Sequence, residues 1–253
     1  VPVSSSGHLV ILHDLLSFDF VDSLSFDVAL HLGTALAVII FFRIKILRYI
    51  VAVFEIFIPK RKVNRSDLNT VLLLIYGTIP AAIIGFLFEA QIKYYFRNSM
   101  TVVVTLILVS ILFFLVEKYA QKSREFTGMG IGRALYIGFA QALALIPGVS
   151  RSGITIVAGM STKLKRHEAA EFSFLLSIPI VLGAGILKMI NLNWEEMPLD
   201  EILVFIIGFI SSFVVGYLVV KFLMKFLKTH KLNIFAWYRI GLAIILLIWI
   251  FLK

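Results

Sequence analysis

Six runs of apolar residues in this chain are long enough to cross a lipid bilayer as helices, and they constrain its fold more than any other feature. A bilayer core needs about 20 helical residues. Only 15% of the 253 residues are charged, whereas a soluble domain carries about 25%. We therefore predict an all-α, polytopic membrane protein that forms a single domain over residues 1–253. The predicted spans are 26–44, 69–88, 100–117, 168–190, 201–220 and 233–252.

Two shorter apolar stretches, 1–13 and 131–162, are broken by Pro, Gly and Ser, the second of them at Pro147–Gly153. Non-helical backbone survives at membrane depth only where protein or a watery cavity satisfies its polar groups. We therefore expect both breaks to line an interior site. Residues 131–162 are predicted to form a re-entrant helical hairpin. Residues 1–13 are predicted to be the second limb of another such hairpin.

Charged residues between the apolar runs predict the orientation. The segments that hold 17 of the 24 Lys and Arg residues are 43–68, 117–130, 161–168 and 221–231. The segments that hold nine acids and only three basic residues are 13–27, 89–99 and 188–201. By the positive-inside rule, the first group is cytoplasmic and the second external. Because both flanks of 131–162 are then cytoplasmic, that hairpin opens to the cytoplasm, and by the same logic 1–13 opens to the outside.

The composition also excludes several classes of function. The net charge of +9 comes from basic residues in the gaps between apolar runs, which is the pattern of membrane topology rather than of a nucleic-acid groove. The chain has no cysteine, so disulfides and thiolate metal sites are excluded. We expect no nucleic-acid partner.

The two breaks resemble each other and predict an internal repeat. Pro2–Gly7 parallels Pro147–Gly153, and Gly7 and Gly153 are 146 residues apart (153 − 7), as are Phe26 and Phe172 (172 − 26). Each half then reads as a hairpin followed by three crossings, so the second copy is inverted. Inverted repeats with broken helices place a binding site near the midplane. The predicted repeats are about 1–117 and 131–253.

Arg151 is the most informative residue of the second break. A guanidinium at membrane depth costs at least about 2.5–3.5 kcal/mol, so it needs an anionic partner or ligand. Small and hydroxyl residues surround it, and glycines let backbone N–H groups approach a phosphate closely. The alternative is a structural ion pair with a buried acid such as Glu171, and the two roles can coexist. The neighbours concerned are Gly148, Ser150, Ser152 and Gly153.

The first break carries Ser4, Ser5, Ser6 and His8. A hydroxyl three residues from an imidazole allows a nucleophile and its general base, or an acid for a leaving group. The alternative is that the hydroxyls bond their own backbone and that the imidazole is merely hydrogen-bonded.

Three further features have open interpretations. His31 either faces the same cavity or forms a hydrogen bond across helices, and Gln141 either donates into the cavity or packs. The basic loop Lys60–Lys62 is interpreted as a topology determinant that touches anionic lipid.

Three motifs, Val1–His8, Pro147–Gly153 and Ala170–Pro179, are similar to those of the undecaprenyl-diphosphate phosphatases. Those bacterial membrane enzymes recycle the lipid carrier of cell-wall synthesis and are linked to bacitracin resistance. The resemblance covers essentially the whole chain. It implies hydrolysis of undecaprenyl diphosphate to the monophosphate and inorganic phosphate at the bacterial cytoplasmic membrane. A lipid-phosphate transporter or flippase is the alternative, because alternating access also uses inverted repeats.

The resemblance also assigns roles to individual residues. Arg151 matches the family's phosphate-binding arginine, Ser5 its proposed nucleophile and His8 its histidine. The further substrate-binding positions are Ser4, Ser6, Gly7, Gly148, Ser150, Ser152 and Gly153.

A divalent cation, Mg²⁺ or Ca²⁺, is the cofactor that the resemblance implies. The family holds it with a Glu-x-x-x-Glu helix just before the Pro-x-Ser-Ser motif. We expect this chain to lack that N-terminal segment, so that no residue of the chain binds the metal, and whether the chain is active without the upstream helix stays open. The expected partners are the polyprenyl diphosphate and membrane lipids, and whether the protein is a homodimer stays open.

Overall fold

The computed structural model describes residues 2–16, 24–58, 64–121, 123–190 and 198–252. Within these ranges the regular elements are α-helices, one 3-10 turn at Phe126–Gly128 and an isolated bridge between Arg124 and Leu164. The helices are α1 Ser5–Leu16, α2 Leu24–Phe41, α3 Arg43–Glu55, α4 Arg65–Phe96, α5 Ser99–Tyr119, α6 Ile131–Leu143, α7 Arg151–Ser161, α8 Arg166–Ile190, α9 Leu199–Phe226 and α10 Asn233–Leu252.

Five of these helices, α4, α5, α8, α9 and α10, are long and apolar enough to cross a membrane. In α9 only 6% of the most apolar window is buried within the protein. An apolar face of that size must meet lipid, since soluble monomers rarely expose large apolar patches. The predicted all-α, polytopic membrane fold is therefore confirmed.

The first predicted span, 26–44, was wrong at its end. Helix α2 stops at Phe41, and Phe42 leaves the helical conformation with φ −95° and ψ 13° before α3 begins at Arg43. Helix α3 itself was not predicted. It exposes Ile44 and Leu47 beside its basic residues, so it is an amphipathic helix and not a continuation of the span.

Helix α5 has the most buried apolar window of the five membrane-length helices, with half of that window buried. Helices α1, α7 and α10 pack on α5, while α2 packs against α8 and α9. Small residues permit the closest crossings. A Cβ added at Gly33 of α2 would lie 2.2 Å from the Ser212 Oγ atom of α9, and one at Gly138 of α6 would lie 2.4 Å from the Gly77 carbonyl oxygen of α4.

Helices α6 and α7 form a helix–break–helix hairpin. They have 13 and 11 residues, so neither can span a bilayer core alone. The flanking segments lie side by side, because the Arg124 N–H donates to the Lys163 carbonyl and the Lys165 N–H donates to the Arg124 carbonyl, each at 2.9 Å. This is the geometry that a re-entrant hairpin requires, while its depth in a bilayer stays a prediction.

The ends of four helices are joined at the face where the basic segments meet. Glu117 of α5 accepts hydrogen bonds from both Arg166 nitrogens Nε and Nη2 at 2.6 and 2.7 Å, and from the Leu232 N–H at 2.9 Å. Asn69 of α4 donates to the Thr127 carbonyl at 3.1 Å. That this face is cytoplasmic stays a prediction, and Lys60–Lys62 lies outside the described residues.

We expect Arg166→Met to lower the free energy of unfolding by about 3–5 kcal/mol, because the buried Glu117 carboxylate loses its guanidinium partner. Lys165→Met is the matched control: its partner Glu125 is exposed, so we expect a loss of about 0–1 kcal/mol. Equilibrium unfolding in mixed micelles measures both. Equal losses would contradict the structural role of the Glu117–Arg166 pair.

Candidate functional site

Both breaks start a helix with the same local structure. Ser4 and Ser150 have φ values of 70° and 68°, a left-handed conformation that is uncommon outside glycine. Each serine caps its helix, since its Oγ atom accepts from the N–H of Gly7 or Gly153 at 3.2 Å. The two serines are 146 residues apart (150 − 4). This recurrence supports the predicted repeat, whose inverted orientation stays a prediction.

The two breaks also touch each other beside α5. A Cβ added at Gly7 would lie 3.3 Å from the Gly148 Cα atom. Gly148 itself has φ +89°, and a Cβ there would lie 2.0 Å from the Thr105 Oγ1 atom of α5. That hydroxyl donates to the Pro147 carbonyl at 2.8 Å. Position 148 therefore requires glycine, because its φ is positive and because its backbone approaches α5 closely.

A cavity of about 340 Å³ lies where the starts of α1 and α7 converge. Helices α2, α4, α6, α8 and α9 complete its wall with mostly apolar side chains. It brings together residues of both breaks that are far apart in the sequence. Its polar lining residues are Ser5, His31, Thr34, Gln141, Ser150, Arg151 and Ser152.

Two larger clefts, of about 870 and 640 Å³, lie elsewhere on the bundle. They are open and lined almost wholly by apolar side chains, and no lining residue is charged. They are suited to hydrocarbon. Of these three, the smaller cavity is the one suited to chemistry on a polar group.

Arg151 is the first residue of α7 and lines the cavity. Its Nη1 atom donates a long hydrogen bond of 3.4 Å to the Ser177 carbonyl, and no carboxylate in the described part of the chain forms an ion pair with it. The suggested pairing with Glu171 was wrong. Glu171 is buried and pairs with Lys45 of α3, a helix that sequence patterning did not reveal.

The start of α7 adds backbone donors to this guanidinium. The cap residue Ser150 satisfies the N–H groups of Gly153 and Ile154 through its hydroxyl and its carbonyl. Those of Arg151 and Ser152 have no acceptor among the residues that the structure describes. Helix N-termini attract anions. The arrangement is therefore suited to phosphate oxygens.

Ser5 and His8 point to different places. Ser5 lines the cavity, whereas His8 contacts α10 and is absent from the lining. The His8 Nδ1 atom lies 2.7 Å from the Ser4 carbonyl, and Nε2 lies 2.8 Å from the Tyr238 hydroxyl. Because a carbonyl only accepts, Nδ1 carries the proton, and in the neutral ring Nε2 accepts from Tyr238. The side chain of Ser6 lies outside the described residues.

Arg239 is a buried site residue that the sequence reasoning missed. It is 0% exposed, stacks over the Phe113 ring at 5.7 Å, and donates from Nη2 to the carbonyls of Thr105, Gly148 and Val149 at 3.2, 3.0 and 3.4 Å. Tyr238 therefore holds the first break through His8, and Arg239 holds the second through its backbone carbonyls. The sequence signal for Arg239 was its position inside the apolar run 233–252. A guanidinium there has the same free-energy cost at membrane depth that singled out Arg151.

The described residues do not fit a protein-held divalent cation. They contain no group of three or more His, Cys, Asp or Glu side chains that could hold a metal. The buried carboxylates Glu117 and Glu171 are already engaged by Arg166 and Lys45.

The fold and the cavity define a multi-pass membrane protein with an interior cavity suited to an anionic ligand. Comparison with known families then identifies it further. Residues 1–245 match the family described as bacitracin resistance protein BacA, and the chain belongs to that family.

Curated relatives cover nearly the whole chain. An undecaprenyl-diphosphatase of Rubrobacter xylanophilus is 43% identical over 246 residues, which are 96% of this chain and 90% of the relative. One from Elusimicrobium minutum is 40% identical over 253 residues, which are 100% and 93% of the two chains. One from Pelobacter propionicus is 40% identical over 241 residues, which are 95% and 88%.

We expect Gly148→Ala to lower the free energy of unfolding. A side chain strained at positive φ costs about 1–3 kcal/mol by itself, and the new Cβ also meets the Thr105 hydroxyl. Gly128→Ala is the matched control, since a Cβ there meets nothing within 4 Å. Thermal unfolding in detergent measures both variants. A tolerated Gly148→Ala would mean that the second break does not pack against α5 in this way.

Proposed function

We propose that this protein hydrolyses undecaprenyl diphosphate, or a related polyprenyl diphosphate, to the monophosphate and inorganic phosphate in the bacterial cytoplasmic membrane. The observation that carries the proposal is that Ser5 and Arg151 line one cavity within a bundle of membrane-length helices. Membership of the BacA family and relatives named undecaprenyl-diphosphatase support it.

Arg151 is proposed to bind the phosphates. Its planar guanidinium can grip two oxygens of one phosphoryl group. The N–H groups of Arg151 and Ser152 at the start of α7 can donate to the same group. Donors already fixed by the fold stabilise negative charge as it develops in the transition state without reorganising.

Ser5 is proposed as the nucleophile. Its oxygen attacks the terminal phosphorus and the bond to the bridging oxygen breaks. The hydroxyl proton passes to that bridging oxygen, and the polyprenyl monophosphate leaves. Water then cleaves the phosphoserine and releases inorganic phosphate. Direct attack by water, with Ser5 as a phosphate ligand, is the alternative route, and trapping of a labelled phosphoserine distinguishes them.

His8 is proposed to act by positioning Ser5. Its ring nitrogens bond the Ser4 carbonyl and the Tyr238 hydroxyl, and the Ser4 carbonyl belongs to the peptide that leads directly into Ser5. The sequence favoured His8 as the proton partner of Ser5. For that role, one ring nitrogen would have to leave its present partner to reach the Ser5 hydroxyl.

The divalent cation implied by the family stays a proposal. No cluster of ligands among the described residues could hold it. Phosphate release measured with Mg²⁺, with Ca²⁺ and with a chelator tests whether the activity depends on a metal.

We expect Arg151→Met to lower kcat/KM for undecaprenyl diphosphate by about 10²–10³-fold, the typical effect of removing a donor that stabilises transition-state charge. Phosphate release from the purified protein in detergent measures the effect. Arg65→Met, at an exposed arginine at the start of α4, is the matched control and should keep full activity. A folded wild-type protein that moves the lipid across vesicles but releases no phosphate would favour the transporter.

We expect Tyr238→Phe to lower kcat by about 2–10-fold, the worth of one ordinary hydrogen bond. If His8 acts by positioning, the double variant of Tyr238→Phe and His8→Ala should be no worse than His8→Ala alone, because both remove the same contact. Tyr119→Phe, at an exposed tyrosine, is the control. A fully active Tyr238→Phe beside an inactive His8→Ala with an altered pH profile would instead make His8 the proton partner.

A further inference from the structure

Gln141 lies in the last turn of α6, at the tip of the hairpin that carries the second break. Its side chain is only 3% exposed, and it lines the same cavity as Ser5 and Arg151. Neither its Nε2 atom nor its Oε1 atom has a hydrogen-bond partner among the described residues. A buried amide in this state destabilises the folded protein, because water that once solvated it is not replaced.

The surroundings of Gln141 contain other polar groups with clear partners. Thr34 donates to the Leu30 carbonyl, and the Ser150 hydroxyl accepts from Gly153. Most buried polar groups in proteins are paired in this way, so an exception needs an explanation. Gln141 lines a cavity that already has the features of an anion site, which points to a ligand as the missing partner of its amide.

The chemistry of the ligand decides which end of the amide is used. The amide nitrogen offers two donors, and the amide oxygen only accepts. An ionised diphosphate offers only acceptor oxygens. The nitrogen is therefore the atom that meets it, and it adds a neutral donor to the cationic donors of Arg151.

We propose that Gln141 is a further substrate-binding residue whose amide nitrogen donates a hydrogen bond to a phosphate oxygen of the polyprenyl diphosphate. The inference rests on the proposed function and adds a residue to its site from the opposite limb of the hairpin, α6. The phosphate is then held between the end of α6 and the start of α7.

Gln141→Met tests this because methionine has nearly the same length and carries no amide. We expect kcat/KM to fall by about 10–100-fold, the loss of one hydrogen bond to a charged group, while the melting temperature stays equal or rises. Gln141→Glu should be less active still, since a carboxylate repels the diphosphate. Gln121→Met, at an exposed glutamine between α5 and the 3-10 turn, is the matched control and should change neither quantity.

A second readout does not depend on turnover. Inorganic diphosphate should raise the melting temperature of the wild type more than that of Gln141→Met, because ligand binding to the folded state stabilises it. A lower melting temperature with unchanged kinetics and unchanged protection would overturn the inference and make Gln141 a structural residue. Failure of the wild type to release phosphate would overturn the proposed function, and the protection measurement would then decide on Gln141 alone.

Discussion

The backbone N–H and C=O groups of the two helix breaks must find partners in the protein or in a bound ligand, and most of the site follows from this constraint. Water cannot satisfy such groups at membrane depth, so each unsatisfied one costs several kcal/mol. The cap hydroxyls of Ser4 and Ser150, the Thr105 hydroxyl and the Arg239 guanidinium fill the need. Donors left over at the start of α7 are then available to a ligand.

Arg239 and Arg151 show how the same type of side chain can serve either the scaffold or the site. Arg239 directs its Nη2 donor at three backbone carbonyls and stacks on Phe113, so it belongs to the scaffold. Arg151 has one long hydrogen bond and faces the cavity. Because Arg239 holds the backbone of the second break, Arg151 keeps its donors for a ligand. Electrostatic pre-organisation requires donors that are already in place.

Sequence reasoning predicted the apolar helices and the convergence of both breaks on an interior site, because hydropathy and Gly/Ser clusters are local signals. It misjudged features that depend on how helices meet. Glu171 of α8 pairs with Lys45 only because α3 begins a new helix after Phe42 and packs against α4, and His8 turns to Tyr238 only because α10 packs on α5. No spacing rule along the chain encodes either approach.

The sequence by itself determined that this chain is a helical membrane protein with two polar breaks and an arginine that needs an anion, because the cost of polar groups in lipid leaves few alternatives. Family membership also follows from the sequence alone. Tertiary structure alone decided which polar groups share the cavity. Packing directed Ser5, Arg151 and Gln141 inward and His8 away, because helix rotation and close crossings at small residues set the direction of each side chain.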